Sequence, residues 1–240
     1  MACGEDMSGI VYGIGVGPGD PDLVTVKAAR LIGKADLVAY PAPETGDSFA
    51  RGIAAPHMKA GQREFAIRMK IGDGQFPKDD VYDAAAEKLA QAAEQGETVV
   101  VLCEGDPFFY GSFMYLYARL SRRVRVEVVP GVSSLMACAV ASGGALAAKN
   151  DVLSIVPAPL PEEELKRRLN QVEAAAIIKV GRHLPKLRKV LAELGLLDRT
   201  RYVEHATLGS QKVMALDSFD GASAPYFSML LVHRRGEAWS

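Results

Sequence analysis

The sequence predicts an α/β fold of two domains, on three observations. From residue 10 to residue 194, short apolar runs alternate with amphipathic stretches, the rhythm of strands and helices in parallel sheets. From 201 to 233 the strand-like runs follow one another closely, which adds antiparallel strands. Pro130-Gly131 interrupts the chain where the first alternating series is complete. The expected domains are an N-terminal one over 8–130, with a mostly parallel sheet, and a C-terminal one over 131–240, with a mixed sheet.

Each element has its own reason. Residues 10–12 are an apolar strand, and 25–33 read as a helix with Leu23, Val26, Ala29 and Leu31 at its apolar positions. A second strand over 36–40 is expected to end at Pro41 and Pro43, because proline lacks the N–H a ladder needs. Residues 64–69 form a third strand inside a long irregular stretch, 41–80; segments of that length are commonly functional loops or lids. Over 81–95, Ala85, Leu89, Ala92 and Ala93 share a helical face and Gly96 stops the helix. The β-branched run 98–103 reads as a strand buried on both faces. A helix over 113–120, a strand over 124–129 and an apolar helix over 133–142 follow. The second half reads as strand 152–157, helix 162–172, strand 176–180, helix 185–194 and strands over 201–205, 211–216 and 226–233.

Composition excludes several functions. Of 240 residues, 49% are hydrophobic and 24% charged, an ordinary globular balance. A formal net charge of −1 lacks the basic footprint of a nucleic-acid binder. The cysteines, Cys3, Cys103 and Cys138, are far apart and odd in number, so neither a disulfide framework nor a zinc spacing follows. His57, His183, His205 and His233 make no metal pair at helical spacing, so no metal is expected. The longest uncharged stretch, 130–148, holds three serines and three glycines, whereas a spanning helix needs about 20 predominantly apolar residues. No basic segment precedes an apolar core at the N-terminus. Cytoplasm is therefore the expectation, with residues 1–7 a loose end.

Chemistry concentrates where strands end. The first strand runs into Gly13-Ile14-Gly15-Val16-Gly17-Pro18-Gly19-Asp20-Pro21. A dinucleotide fingerprint needs Gly-x-Gly-x-x-Gly, but its third glycine falls on Pro18 or Asp20, and no Walker lysine is present. A fixed carboxylate at the loop tip also suits phosphate poorly. Glu104-Gly105-Asp106-Pro107-Phe108-Phe109-Tyr110 ends another strand with the same grammar, and ligands in parallel sheets sit outside the carboxyl ends of strands. Acidic groups beside open backbone suit a ligand that is partly cationic. Val129-Pro130-Gly131-Val132-Ser133-Ser134 places serines at a helix start, where they either cap the helix or face a ligand. Lys179 to His183 and Glu204 to Thr207 also end strands.

Together these three loops resemble the tetrapyrrole methyltransferases, in family order and over nearly the whole chain. The branch closest in Tyr40-Pro41-Ala42-Pro43, Asp47 to Ala50, Cys103 to Tyr115 and Lys179 to Pro185 belongs to cobalamin biosynthesis. The resemblance implies two α/β domains with S-adenosylmethionine in a cleft between them, S-adenosylhomocysteine as its product, and a homodimer. It implies cofactor contacts at Pro18, Gly105, Asp106, Phe109, Ser133, Ser134, Val180 and Ala206. The implied partner is a tetrapyrrole, precorrin-2, methylated at C20, with neither nucleic acid nor membrane. Its cobalt complex, another ring carbon and a non-catalytic tetrapyrrole-binding protein are the alternatives. Glu104 and Ala206 stand where many members have glycine. On the substrate side, Asp20 is the candidate catalytic residue, as proton acceptor or pyrrole partner, and helix capping is its other reading. Gly17, Gly19, Arg51, Arg182 and Lys186 are candidates for holding the macrocycle.

Overall fold

The computed structural model describes residues 9–69, 79–236 and 238. The loose end expected at 1–7 and the 70–78 part of the long irregular stretch lie outside the described residues. The chain divides into two compact units, Met1–Ser133 and Ser134–Ser240.

In the first unit, β1 (Ile10–Gly15), β2 (Leu37–Pro43), β3 (Arg63–Met69), β4 (Thr98–Cys103) and β5 (Arg125–Val129) form one sheet in the order β3-β2-β4-β1-β5. Every pairing is parallel. Helices α1 (Val26–Ile32) and α2 (Phe49–Ala54) cover one face; α3 (Asp79–Glu94) and α4 (Phe113–Leu120) cover the other. The run in β4 serves both cores. Val99, Val101 and Cys103 pack with α3 and α4, while Val100 and Leu102 pack with α1 and α2.

Two expectations need correction here. β2 does not stop at Pro41 but runs through it to Pro43. Its pairing with β4 ends at Ala39, and beyond that β3 is its sole partner among the described residues. A proline whose missing N–H faces an unpaired side breaks no ladder bond. The stretch after β2 is also less irregular than expected. Beside the expected strand, β3, it holds the helix α2, and Ser48 caps α2 by accepting from the Arg51 N–H (3.2 Å) while donating to Pro41 O (2.5 Å).

In the second unit, β6 (Leu153–Pro157), β7 (Ala174–Ile178), β8 (Thr200–Glu204), β9 (Lys212–Ala215) and β10 (Ser228–His233) form a mixed sheet in the order β6-β7-β10-β8-β9. β6 and β7 are parallel and the other neighbours antiparallel. Helices α5 (Ser134–Ala141), α6 (Glu162–Leu169) and α7 (Leu184–Glu193) complete the unit. Leu165, Leu187, Val190 and Leu191 pack with Tyr202, whose ring stacks on Phe219 at 4.1 Å. Since β7 and β8 both run antiparallel to β10, they are parallel to each other, and their carboxyl ends share one edge of the sheet.

A buried polar tie closes the opposite edge. Asp151 accepts from the Ala148 N–H (2.8 Å), His233 Nε2 (3.2 Å) and Arg235 Nη2 (3.0 Å). Arg235 N–H donates to His233 Nδ1, which leaves the imidazole proton on Nε2, facing the carboxylate. The Ala148 N–H, then His233 and Arg235, hold the Asp151 carboxyl down to about 2. A depressed pKa stabilises the fold above the ordinary carboxylate range, and that contribution fades as pH falls through about 2. Asp151→Asn is therefore expected to lower the thermal midpoint at neutral pH, with the two melting curves converging near pH 2. Melting across that pH range measures it, and a constant gap between the proteins would refute the assignment.

Candidate functional site

The site in the first unit is built at the carboxyl ends of β1 and β4. These strands are in register to Gly15 and Cys103, and Val16 N–H then donates to Cys103 O at 2.9 Å. Beyond the strands the two loops bond to each other: Gly17 N–H to Gly105 O at 3.2 Å, and Gly105 N–H to Gly17 O at 2.8 Å. Both glycines sit at left-handed φ, +81° and +63°, which a side chain would resist. The third loop closes on the same point. A Cβ built on Gly131 would lie 2.1 Å from Gly105 O, and one on Gly15 would lie 2.6 Å from Gly131 N. Three motifs widely spaced in sequence thus meet backbone to backbone.

Asp106 holds them there. Its Oδ1 accepts from the Phe108 and Phe109 N–H groups at 2.9 and 3.1 Å, and its Oδ2 from the Gly131 N–H at 3.1 Å. Its carboxylate is thus spent on backbone, so past Asp106 the loop offers a ligand backbone and the aromatic run. Phe109 is half-buried edge-on to Tyr110, while Phe108 and Tyr110 are each 50% exposed. Tyr110 takes φ +56°, a strained position of the kind that clusters at ligand sites.

Along the first loop, Pro18 and Gly19 lead to Asp20, whose Oδ1 accepts from the Asp22 N–H at 2.9 Å. Asp20 thereby caps the short turn Pro21–Leu23, and His57 Nε2 lies 3.0 Å from Pro21 O behind it. Arg51 is already matched: its Nε and Nη2 bond the two Glu64 oxygens at 3.1 and 3.0 Å, and Tyr40 OH donates to the same carboxylate at 2.8 Å. Arg51 draws the Glu64 carboxyl below its usual range, and burial with Glu64 raises the Tyr40 phenol. Spacing alone offered no means of finding Glu64, because its pairing with Arg51 depends on β3 lying beside β2. Cys103 offers no nucleophile, as burial pushes its thiol up to about 12.

In the second unit, the candidates gather at the shared edge of β7 and β8. Val180 is buried just after β7, between Lys179 at φ +60° and Gly181. Ala206 is buried just after β8, between His205 at φ +50° and Thr207 at φ +72°. Three non-glycine residues in left-handed backbone at one sheet edge represent stored strain. The His205 N–H donates to Phe227 O at 2.9 Å, which brings the exposed Tyr226-Phe227 pair beside Ala206, a neighbour the sequence did not reveal. Arg182 is exposed on the turn Gly181–His183, and Lys186 Nζ donates to Leu160 O at 2.6 Å. Burial, then Lys186 and Arg182, lower the His183 imidazole. Ser133 closes the first unit and Ser134 opens α5 in the second.

The donor set suits a phosphate-free ligand with cationic character. The loop from 104 to 112 carries Glu104 and Asp106 and no lysine or arginine. Among the described residues no cluster of histidine, cysteine or carboxylate is arranged to hold a metal ion, and no helix is long and apolar enough to cross a membrane.

Comparison with known proteins gives a consistent picture. The family model of tetrapyrrole (corrin/porphyrin) methylases matches residues 10–218. The precorrin-2 C(20)-methyltransferase of a Sinorhizobium species is 42% identical over 238 residues, covering 94% of this chain and 97% of that protein. The cobalamin biosynthesis protein CobIJ of Mycobacterium tuberculosis is 42% identical over 232 residues, 93% of this chain; the chain spans about half of its length, 46%. Among solved structures, uroporphyrin-III C-methyl transferase from Thermus thermophilus, complexed with S-adenosylhomocysteine, aligns at a TM-score of 0.70 and 26% identity, covering 94% of this chain and 98% of that one.

Proposed function

The chain belongs to the tetrapyrrole methylase family, and on that premise we propose that it transfers a methyl group from S-adenosylmethionine to C20 of precorrin-2, giving precorrin-3A in cobalamin biosynthesis. The observation that carries this reading is the near full-length match to a precorrin-2 C(20)-methyltransferase. The loop chemistry supports the cofactor half. S-adenosylmethionine carries a sulfonium and an ammonium and no phosphate, which suits glycine loops with acidic residues and no lysine or arginine.

Pro18, Gly105, Phe109, Val180 and Ala206 would meet the cofactor largely through backbone and apolar surface. Ser133 and Ser134 would add hydroxyls, and Asp106 would act by holding its loop in shape. When bound, S-adenosylmethionine supplies an electrophilic methyl group on sulfur. C20 of the macrocycle is enamine-like and nucleophilic, so much of the protein's contribution is alignment of the two reactants. Gly17 and Gly19 let the macrocycle approach the loop closely. Asp20, which also caps its turn, takes the C20 proton or holds a pyrrole N–H. Arg182 and Lys186 receive the substrate's carboxylates, with Arg51 available by exchange from Glu64. The small net charge supports a small-molecule partner over nucleic acid, and we read the protein as cytoplasmic. The exposed apolar side of α5, with Met136 53% and Val140 82% accessible, supports pairing of two copies.

The test is incubation with carbon-13-methyl S-adenosylmethionine and precorrin-2, with and without cobalt. A new methyl resonance at C20 is expected with the metal-free substrate. A methyl on another ring carbon, activity confined to the cobalt complex, or binding without transfer would replace this reading. In the same assay Asp20→Asn is expected to lower turnover about 100-fold with cofactor affinity unchanged. Near-normal turnover would leave Asp20 with capping alone.

A further inference from the structure

One histidine of the first unit has no role in the account above. His57 ends the short turn Ala55–His57 that follows α2. Its imidazole is half-buried, and Nε2 lies 3.0 Å from Pro21 O, 36 residues away in sequence. A carbonyl oxygen only accepts, so the ring proton is on Nε2 and the imidazole donates. Pro21 O has a second donor, the Val24 N–H at 3.1 Å, which closes the turn Pro21–Leu23. One lone pair of this oxygen thus serves the turn, and the other serves a side chain brought from beyond β2.

The peptide group joining Pro21 to Asp22 is held at its other end as well. Among the described residues no peptide bond is cis, so the C=O and N–H of this group point in opposite directions from one plane. The C=O takes the His57 bond, and the N–H donates to Asp20 Oδ1 at 2.9 Å. His57 and Asp20 are therefore bonded to opposite ends of a single rigid, polar plane. A donor at the carbonyl also polarises the N–H of the same peptide and strengthens its bond to the carboxylate. The base from which His57 reaches is itself fixed to the end of α1. A Cβ built on Gly33, which closes α1, would lie 3.4 Å from His57 O. Met58 packs with Val24, Ala28 and Ile32, and Gln62 Nε2 donates to Ile32 O and Ala35 O at 2.8 and 2.9 Å.

We propose that His57 is a positioning residue for methyl transfer: it orients the Asp20 carboxylate through the Pro21–Asp22 peptide and touches neither reactant. This rests on the role given to Asp20 above. The turn closes with its own bonds, Leu23 N–H to Asp20 O at 3.0 Å and Val24 N–H to Pro21 O at 3.1 Å. What the imidazole adds is the direction of the peptide plane and, through it, of the carboxylate. A misplacement of about 1 Å at a reacting group can cost about 100-fold in rate, so a bond one peptide away from Asp20 has a kinetic consequence. The effect falls on turnover, since neither the cofactor nor the macrocycle loses a contact.

The experiment is steady-state methyl transfer to precorrin-2 by the full chain, comparing His57→Gln with His57→Asn. The glutamine amide nitrogen reaches the place of Nε2, whereas the asparagine amide stops near that of Nδ1, so the two differ in reach and not in polarity. His57→Gln is expected to keep kcat within about twofold of the wild type. His57→Asn is expected to lower kcat about tenfold, with KM for precorrin-2 and the affinity for S-adenosylmethionine unchanged. His57→Leu, of similar bulk and without a donor, carries the same expectation and gives a second reading should His57→Asn fail to fold. Combining His57→Asn with Asp20→Asn is expected to be no slower than Asp20→Asn alone, because both changes act on one carboxylate. Wild-type kcat in the asparagine and leucine variants overturns the proposal. So does a glutamine variant as slow as they are, and so do losses that multiply in the double variant. Near-normal turnover of Asp20→Asn removes the role of Asp20 and this proposal with it. That outcome is distinct from a slow Asp20→Asn beside a fully active His57→Asn, which removes the role of His57 alone.

Discussion

Alanine at Gly131 is expected to cost about 3 kcal/mol of stability and to abolish binding of S-adenosylmethionine. The added Cβ would lie 2.1 Å from Gly105 O and 2.8 Å from the Gly15 backbone. Both neighbours are main chain, so no rotamer change relieves the clash. The third loop must back away, and the Gly17–Gly105 pairing loosens with it. Gly52→Ala is the control. It lies inside α2 with nothing within 4 Å of its built Cβ, so it should be neutral or stabilise by about 0.5–1 kcal/mol. Urea melts and cofactor titrations of the two variants check this. A Gly131→Ala protein that melts and binds like the wild type would show that the three loops need not be in contact.

Removal of the Asp106 carboxylate has the next largest expected effect. Asp106→Ala leaves the N–H groups of Phe108, Phe109 and Gly131 without their acceptor. A hydrogen bond to a charged acceptor contributes about 1.5–3 kcal/mol, and water can reach the more exposed of these groups, so a loss of about 3 kcal/mol is expected. The loop then no longer presents Gly105 and Phe109, and cofactor affinity should fall about 100-fold. Asp106→Asn separates the two halves of the role. Its remaining oxygen can serve Phe108 and Phe109, while its amide meets the Gly131 N–H donor to donor, so it should lose the tether between loops and keep the turn. An Asp106→Ala variant with full stability and weak binding would instead place the carboxylate on the ligand.

The order of strands and helices was legible in the sequence, because the apolar periods of the two kinds of element differ. The two-face burial of β4 could be read from its unbroken β-branched run. Boundaries were less legible. β2 continues through Pro41 and Pro43 because β4 drops away from it there, and no local propensity reports the absence of a partner strand. The Gly13–Asp20 and Glu104–Asp106 loops were identifiable from composition alone. The Arg51–Glu64–Tyr40 cluster was not, since it depends on the neighbour β2 acquires.

By itself the sequence determined which loops carry chemistry, what class of ligand they exclude, and the family to which the chain belongs. Those are properties of residue types in order, and order survives without a fold. Only the tertiary structure decided what each carboxylate does. Asp106 is consumed by three backbone donors, Asp20 caps a turn and Glu64 is bound by Arg51. A side chain's task depends on which groups lie within about 3 Å of it. In a parallel sheet those groups come from distant parts of the chain.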